Sequence, residues 1–454
     1  MLGPPNNLFT GRAGAYIAVV FGLACMFVYP AIPIGNTVGV DITLGMTLVL
    51  LLLHPSLFFG PSLPFMLLMM VPFLQSTLAS LASGGVIAPE MLPKHTAQFF
   101  LSVVPFVVAY ELLRAGRFRE ILIGVSLAMP VHALIGMYQM WAFDQGYLPF
   151  LDLMATNPGM SIPSEMSENY ADFTRRPFGL FAEPSAMAAC VGPWLVLSAG
   201  VAANTARSAA LRVPRALLLV ALLSGCFLLA VSESGQAPFV LAGLALALLS
   251  SLGRKGEASA RPWHSWAAVA LMLGAVVTTA VEYASRFGQA GFEAGAKTMA
   301  LEARSDSSWD RRLNSFLFVW DALSYDVKTF LFGVGPGQAY PLILGSTRFT
   351  SRLQPEVTAV WSITGGYVAE NGVLGLACLG VITGVIAVSI WKSADRTFGI
   401  ACAFVWFTGI LFATSYTQQP SLWFFLALLL TWGKQLGLRE VSPLPARSTR
   451  VWAT

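Results

Sequence analysis

Long apolar runs separated by short basic turns are the feature that most restricts how this 454-residue chain can fold. Hydrophobic residues make up 56% of the sequence and charged residues only 11%, whereas soluble domains carry roughly 25% charged residues. A chain of this length with so few charges has too little polar surface to face water on all sides. The sequence therefore predicts an all-α polytopic membrane protein.

The apolar runs are long enough to cross a bilayer. A helix needs about 20 apolar residues to span a hydrocarbon core of roughly 30 Å, and about 12 stretches of the chain meet this requirement. The predicted spans are 13–30, 38–54, 58–81, 96–114, 118–142, 184–203, 214–232, 236–252, 265–284, 368–391, 397–416 and 419–434.

Arginine and lysine are concentrated in the short connections between these runs, as in the cytoplasmic loops of membrane proteins. Basic residues occupy the N-terminus, the tail after 434, and the turns near 114–120, 204–215, 253–262 and 392–396. With twelve spans, all of these segments fall on one side of the membrane. We therefore expect both termini to be cytoplasmic.

The predicted topology leaves two long segments on the outer side. Loops longer than about 12–15 residues commonly carry function, so we expect the working surface there. In chain order the predicted segments are helices 1–5 (1–142), the first outer loop (143–183), helices 6–9 (184–284), the second outer loop (285–367), helices 10–12 (368–434) and a cytoplasmic tail (435–454).

The first outer loop ends in a motif that leads into the sixth span. Pro184 suits the first position of a helix, which puts Glu183 at the mouth of that span. One interpretation is a helix cap beside a pair of surface arginines, and the other is a polar site. The motif reads Arg175-Arg176-Pro177-Phe178-Gly179-Leu180-Phe181-Ala182-Glu183-Pro184-Ser185.

The second outer loop contains a predicted amphipathic helix at 308–323, where apolar residues recur at helical spacing. Arg311 and Arg312 stand in its first turn, and a helix N-terminus with two guanidinium groups favours a phosphate-bearing ligand. The alternative is a helix that rests on the membrane surface through its aromatic face. Arg348 and Arg352 follow, four residues apart, where like charges repel on a helix. An anion would relieve that repulsion.

Two short motifs complete the second loop. The run Gly333-Val334-Gly335-Pro336-Gly337 predicts a tight turn rather than a phosphate loop. Glu370-Asn371-Gly372 opens the tenth span, as an interfacial cap or as a functional site.

Few ionisable residues stand inside the predicted spans. His132 lies within the fifth span, and we expect it to be hydrogen-bonded within the helix bundle. The other histidines are scattered over both sides, so we expect no metal site. No basic stripe with interleaved aromatic residues predicts nucleic-acid binding.

Taken in this order, the motifs resemble the O-antigen polymerase/ligase superfamily, whose members are the Wzy polymerases and WaaL ligases. The arginine motif before a middle span, the arginine-led loop helix, the Gly-x-Gly turn and the Asn-Gly start of the tenth span all have counterparts there. Two positions depart from the pattern. Glu370 replaces a ligase-type histidine, and Ser232-Glu233-Ser234-Gly235 lacks the arginine of Ser-x-Ser-Arg. Both departures favour a Wzy-type polymerase of exopolysaccharide, capsule or O-antigen over a ligase that acts on lipid A core.

The resemblance implies a glycosyltransferase of polysaccharide biosynthesis in the bacterial inner (plasma) membrane. It also implies two long periplasmic loops that contain short amphipathic helices and carry the active site. Glycan would pass from undecaprenyl pyrophosphate to a lipid-linked repeat unit, with inversion and with no metal or other cofactor. The growing polysaccharide is the product, and a flippase and a chain-length regulator are further partners that the resemblance suggests.

This reaction needs cations for the departing diphosphate and a base for the attacking hydroxyl. Guanidinium suits the first task because its fork binds phosphate bidentately and stays charged. Glu370 is the expected base, with Glu183 as the alternative. We expect the diphosphate to bind Arg176, Arg311, Arg312, Arg348 and Arg352, and the sugars to contact Arg175, Arg304, Asn371, Gly335 and Gly337.

A transporter or a lipid-linked oligosaccharide flippase is the main alternative of another class, because twelve spans fit it equally well. Transporters place polar or broken helices near the membrane midplane and show repeated halves. This sequence instead concentrates its arginines in the outer loops and shows no evident repeat. A purely structural membrane scaffold would leave those arginines unexplained.

Overall fold

The computed structural model describes residues 6–34, 38–83, 88–154, 156, 176–232, 234, 236–252, 319–320, 322–324, 326–339, 362–412 and 419–435. These residues are mostly helical. In chain order the elements are α1 (Asn7–Thr10), α2 (Arg12–Ala24), β1 (Ala31–Ile34), β2 (Val38–Asp41), α3 (Ile42–Leu53), a 3-10 turn (Pro55–Leu57), α4 (Leu63–Ser83), α5 (Met91–Val103), α6 (Pro105–Arg114), α7 (Phe118–Asp144), α8 (Leu151–Met154), α9 (Pro184–Ala203), α10 (Thr205–Leu211), α11 (Arg215–Val231), α12 (Ala237–Leu252), α13 (Val327–Phe332), α14 (Ile363–Trp391), α15 (Arg396–Phe412) and α16 (Pro420–Gln435).

Several of these helices have the length and composition of membrane spans, so the chain is a helical membrane protein. Helices stand at every predicted span position except 265–284, which lies outside the described residues. The total number of spans stays a prediction. Within the described residues, the 5 helices long and apolar enough to cross a membrane are Leu63–Ser83, Met91–Arg114, Phe118–Asp144, Pro184–Ala203 and Ile363–Trp391.

The helices pack closely through small residues, as is common in membrane bundles. Gly124 of α7 faces α2, and a Cβ there would lie 2.1 Å from the carbonyl oxygen of Val19. Gly22 of α2 is equally close to the backbone of Ile121. These two helices therefore cross backbone to backbone.

Among the described residues, the N-terminal segment and the turns near 114–120, 204–215 and 392–396 lie together, at what we name the basic end of the bundle; the predicted turn at 253–262 lies outside the described residues. There the turn that follows α6 contacts the N-terminal segment, the first turn of α7 contacts the turn after α10, and α10 contacts Asp395, the residue before α15. The contacts are Arg117 Nε to the Phe9 carbonyl at 2.7 Å, Arg119 Nε to the Arg212 carbonyl at 3.2 Å, and Arg207 Nη2 to Asp395 Oδ2 at 2.8 Å.

One boundary differs from the prediction in a way that matters for the site. Helix α14 begins at Ile363 because Ser362 caps it, and the Ser362 hydroxyl accepts a hydrogen bond from the Gly365 N–H at 2.9 Å. Glu370 therefore lies two turns after the start of α14, and where the membrane-spanning part of this helix begins stays a prediction. The helix is broken at Gly372, two residues after Glu370, where φ is 64° and ψ is −158°.

Candidate active site

The end of the bundle opposite the basic end brings several predicted motifs together, and we name it the site end. Helices α4, α7 and α15 finish there, while α5, α9, α12, α14 and α16 begin there. Side-chain hydrogen bonds join these helix ends across the site end. The bonds are Ser76 Oγ to the Glu370 carbonyl, Gln236 Nε2 to the Ser185 carbonyl at 3.1 Å, and Thr364 Oγ1 to the Ile410 carbonyl at 3.3 Å.

The break in α14 is filled by the glycine turn. Val334 donates its N–H to the carbonyl of Ala369 at 2.9 Å, and Gly335 donates to the carbonyl of Glu370 at 3.2 Å. The hydroxyl of Ser76 also donates to the Glu370 carbonyl. A broken helix in a membrane protein needs such replacement partners because lipid offers none. The turn therefore completes the backbone of α14 at the point where Glu370 stands.

The glycine turn is a tight packing element, as predicted. Its three glycines have positive φ values of 78°, 100° and 70°. A Cβ on Gly335 would lie 2.5 Å from Ser80 Oγ, and one on Gly337 would lie 2.8 Å from the ring of His95. All four of its N–H groups donate into the protein, so they do not form a phosphate cradle. Substrate contacts of Gly335 and Gly337 stay a prediction.

Gln338 fastens the same turn to the segment that leads into α5. Its side-chain amide accepts a hydrogen bond from the Ala88 N–H at 3.0 Å and donates one to the Ala88 carbonyl at 2.8 Å. Gln338 is only 1% exposed, so this bridge is shielded from solvent. Sequence reasoning missed this residue, although a polar side chain directly after a glycine run is a usable signal for such an anchor.

Glu370 points toward the turn and toward α5. Its Oε1 accepts a hydrogen bond from the Gly337 N–H at 2.9 Å, and the same oxygen lies 3.8 Å from Nδ1 of His95. The Glu370 side chain is 15% exposed and the His95 side chain is 40% exposed. Glu370 is a site residue that the sequence predicts, whereas His95 is only one of several scattered histidines in the sequence, because α5 and α14 are far apart in the chain.

Asn371 faces the opposite way from Glu370, into the bundle. It is fully buried, and its Nδ2 donates to the carbonyl of Tyr367 at 2.8 Å. Its Oδ1 has no hydrogen-bond partner among the described residues. Asn371 thus supports the helix break from inside, and its predicted contact with substrate stays a prediction.

Only the end of the predicted amphipathic helix at 308–323 falls within the described residues. There Val319, Ala322 and Leu323 form a small buried cluster with Val368 and Ala369 of α14. Trp320, in the same stretch, is 70% exposed. The cluster brings the end of the second outer loop beside Glu370.

The turn that begins at Arg176 is fastened to α7 by one glutamine. Oε1 of Gln139 accepts hydrogen bonds from the N–H groups of Phe178 and Gly179, both at 2.9 Å. Nε2 of Gln139 donates to the Gly179 carbonyl at 2.8 Å. Because Phe178 is fully buried, the turn is anchored on both its polar and its apolar side. Arg176 is half-buried at the start of this turn.

His132 holds the other half of the turn and is hydrogen-bonded within the bundle, which confirms the prediction. Leu180 donates its N–H to His132 Nδ1 at 3.2 Å, and Nε2 lies 3.0 Å from the Met26 carbonyl. Nδ1 therefore acts as the acceptor, and Nε2 carries the hydrogen. The ring stacks between Phe27 and Phe181, with centroid distances of 4.6 and 4.5 Å.

Glu183 is the N-cap residue of α9 and Pro184 is its first residue, as predicted. The Glu183 carboxylate makes no capping bond to the backbone and accepts a hydrogen bond from the Ser185 hydroxyl instead. Gln236, just after the Ser232–Gly235 segment, donates to the Ser185 carbonyl at 3.1 Å. Gln236 thus places the start of α12 beside the Glu183 motif.

The described residues therefore bring Arg176, Glu183 and Glu370 to the same end of the bundle. The other predicted site arginines lie outside the described residues, so their convergence with these groups stays a prediction. They are Arg175, Arg304, Arg311, Arg312, Arg348 and Arg352.

An apolar groove of about 690 Å³ runs between α4 and α5, the helices that carry Ser76 and His95. Its lining on α4 repeats at helical spacing from Met66 through Met70 and Leu74, and Leu92 and Phe100 line the facing side on α5. The lining includes Thr77 and Thr96, which neighbour Ser76 and His95 in the chain, but not Ser76, His95 or Glu370 themselves.

Within the described part of the chain, no group of three His, Cys, Asp or Glu side chains could hold a metal ion. No protein-family model matches the sequence, and no curated protein matches it.

Proposed function

We propose that this chain is a polysaccharide polymerase, a membrane glycosyltransferase that joins lipid-linked repeat units. The observation that carries the proposal is the position of Glu370. Its carboxylate is held by Gly337 beside His95, at the end of the bundle that also carries Arg176 and lies away from the basic turns. A carboxylate and an imidazole at a polar site next to an apolar groove suit the transfer of a sugar from a lipid.

The proposed reaction moves glycan from undecaprenyl pyrophosphate to a hydroxyl of another lipid-linked repeat unit. The hydroxyl oxygen bonds to the anomeric carbon, and the bond from that carbon to the diphosphate breaks, with inversion. Glu370 provides the carboxylate for the proton of the acceptor hydroxyl. It either accepts that proton itself or acts through a neighbouring side chain. Glu183 is the second carboxylate at this end. No metal or other cofactor takes part.

The leaving group of this reaction carries concentrated negative charge, which guanidinium groups stabilise well. Arg176 is the arginine of the proposed diphosphate site that stands within the described residues, and its turn is anchored firmly to α7. The proposal assigns Arg311, Arg312, Arg348 and Arg352 to the same diphosphate. It assigns the sugars to Arg175, Arg304, Asn371 and the glycine turn.

The hydrocarbon chain of the donor needs an apolar place beside the polar site. The groove between α4 and α5 supports this part of the proposal, because its volume is about 690 Å³ and its lining is almost wholly apolar. The groove reaches Thr77 and Thr96, the chain neighbours of Ser76 and His95, and the proposal places the head group of a chain in the groove at the Glu370 site. Each buried CH₂ group contributes about 0.8 kcal/mol to such binding.

The orientation follows from the charges. Basic connections favour the cytoplasmic side, so the basic end faces the cytoplasm and the site end faces the periplasm of a bacterial inner membrane. Both termini are then cytoplasmic. A flippase that delivers repeat units and a chain-length regulator are the protein partners that we propose for it.

A reconstitution experiment tests the proposal. Purified protein in detergent is given a synthetic repeat unit on undecaprenyl pyrophosphate, and the products are resolved by length. We expect a ladder of polymers and one undecaprenyl pyrophosphate released for each linkage formed. Arg176→Ala should lower the rate by about 10²–10³-fold, as the loss of one electrostatic donor does elsewhere. Arg396→Ala, an exposed arginine at the basic end, is the matched control. Folded protein that forms no linkage and releases no diphosphate contradicts the proposal.

The glycans that accumulate in a strain lacking this protein distinguish a polymerase from a ligase and from a flippase or transporter. Single repeat units that accumulate on the periplasmic face of the membrane support the polymerase. Full-length polymer left on its carrier, never attached to an outer-membrane acceptor such as lipid A core, indicates a ligase. Repeat units retained on the cytoplasmic face indicate a flippase or transporter.

A further inference from the structure

His95 and Glu370 form an imidazole–carboxylate pair that joins α5 to α14. Nδ1 of His95 lies 3.8 Å from Oε1 of Glu370. The two residues are distant in sequence, so the tertiary structure alone creates this pair. Carboxylates that stand behind an imidazole commonly orient the ring and stabilise its charged form.

Gly337 holds both members of the pair in place. Its N–H donates to Glu370 Oε1 at 2.9 Å, which directs that oxygen. Its α-carbon lies against the imidazole so closely that a Cβ would stand 2.8 Å from Cδ2 of His95. The ring therefore has a backbone surface on one edge and a carboxylate next to Nδ1, which leaves Nε2 as the nitrogen for a ligand.

The exposure of the two side chains indicates which one meets a substrate. His95 is 40% exposed and Glu370 is 15% exposed. Oε1 of Glu370 also carries a hydrogen bond from the backbone. A hydroxyl on a bulky sugar reaches the imidazole more readily than the carboxylate behind it.

We propose that His95 removes the proton from the acceptor hydroxyl and that Glu370 is the positioning residue for its imidazole. This inference rests on the proposed polymerase function. As the hydroxyl oxygen bonds to the anomeric carbon, its proton passes to Nε2 of His95, and the electron pair of the broken bond leaves with the lipid diphosphate. The Nδ1–Oε1 contact shortens to a hydrogen bond when substrate binds, as catalytic contacts commonly do.

The experiment measures kcat and KM of the purified protein with the lipid-linked repeat unit. His95→Ala should lower kcat by about 10²–10⁴-fold, the usual contribution of a general base, with little change in KM. Added imidazole should restore part of the rate because it can occupy the space that the ring leaves. Glu370→Gln should also lower kcat, whereas imidazole should not restore it. His54→Ala, a histidine at the other end of the bundle, is the matched control.

The outcomes separate this inference from the proposed function. If the wild-type protein makes polymer and His95→Ala keeps its full kcat, the role of His95 is overturned and the proposed polymerase function stands. Wild-type protein that transfers no glycan ends both proposals. If His95→Ala does not fold, His95→Gln keeps a polar side chain at this position and should be folded and inactive. A fully active His95→Gln protein also overturns the role of His95.

Discussion

Gly333 and Gly372 meet backbone to backbone, although one belongs to a loop and the other to the middle of α14. A Cβ on Gly372 would lie 2.5 Å from the backbone nitrogen of Gly333. A Cβ on Gly333 would in turn lie 2.3 Å from the carbonyl carbon of Glu370. The helix break, the glycine turn and the candidate base are therefore one structural unit.

This contact predicts that Gly372→Ala disrupts the site end. The backbone at Gly372 has φ 64° and ψ −158°, a region that essentially only glycine adopts, at a cost of about 1–3 kcal/mol for other residues. The overlap with Gly333 adds to this cost. We expect a lower melting temperature of the detergent-solubilised protein and no polymer. Gly384→Ala, at an open position of the same helix, should melt at or above the wild-type temperature. Equal stability of the two variants would contradict the packing described here.

Replacing Gln139 should release the Arg176 turn without unfolding the bundle. Gln139→Met keeps the size of the side chain but removes the three hydrogen bonds to Phe178 and Gly179. Unpaired buried backbone groups cost about 1–3 kcal/mol each. Hydrogen exchange should therefore quicken at residues 176–183, and polymer synthesis should fall.

The control for that change is Gln145→Met, an exposed glutamine just past the end of the same helix. It should leave both exchange and polymer length unchanged. Unaltered exchange in the turn of the Gln139→Met protein would show that Gln139 does not anchor it.

The buried ion pair at the basic end should matter for stability. Arg207 and Asp395 are 2% and 4% exposed, with Nη2 and Oδ2 2.8 Å apart, and the guanidinium lies 4.3 Å from the ring centroid of Phe398. Removing one partner of a buried pair leaves an uncompensated charge and costs about 3–5 kcal/mol. We expect Asp395→Asn to lower the melting temperature strongly.

Arg207→Met with Asp395→Leu should recover much of that stability, because neither charge then stays buried alone. Polymer synthesis should recover together with the amount of folded protein. A single Asp395→Asn protein as stable as the wild type would show that the pair contributes little.

Thiol labelling of intact cells checks the orientation of the bundle. Glu90 lies at the site end and Lys392 at the basic end, and both are exposed. In a background without native cysteines, a membrane-impermeant maleimide should label Glu90→Cys in intact cells. Lys392→Cys should react only after the membrane is opened. Labelling of Lys392→Cys in intact cells would show that the true topology is the inverse of the proposed one.

Filling the apolar groove should weaken binding of a long-chain donor. Leu74 lines the groove on α4 and Leu78, one turn further along, does not. Leu74→Trp should raise KM for the undecaprenyl-linked donor by roughly tenfold, which corresponds to about two buried CH₂ groups. For a donor with a much shorter prenyl chain, the same substitution should change KM little. Leu78→Trp, at an exposed position, serves as the control. Equal KM values for both variants would exclude the groove as the chain site.

Parts of the candidate site were accessible from sequence because their signals are local. Pro184 after Glu183 predicts a helix start, and α9 begins there. The glycine run predicts a tight turn, which the positive φ angles confirm. His132, an ionisable residue within an apolar helix, was expected to be hydrogen-bonded, and it is.

The start of α14 shows where local signals fail. Ser362 is a good N-cap, but the apolar pattern becomes dense only later, so the predicted span began at 368. The break at Gly372 has no sequence signature of its own, because glycine is common inside membrane helices. It becomes visible only with the glycine turn that occupies it.

What the sequence by itself determined is the class of the protein and the sorting of its charges. The lengths of the apolar runs and the positions of the arginines are visible in the sequence itself. The bilayer constrains both, whichever helices become neighbours. Only the tertiary structure decided that Ser76 reaches the carbonyl of Glu370, 294 residues away in the chain, and that His95 stands beside that carboxylate. Contacts of this kind depend on which helices become neighbours, and that choice follows from the packing of the whole bundle rather than from any local pattern.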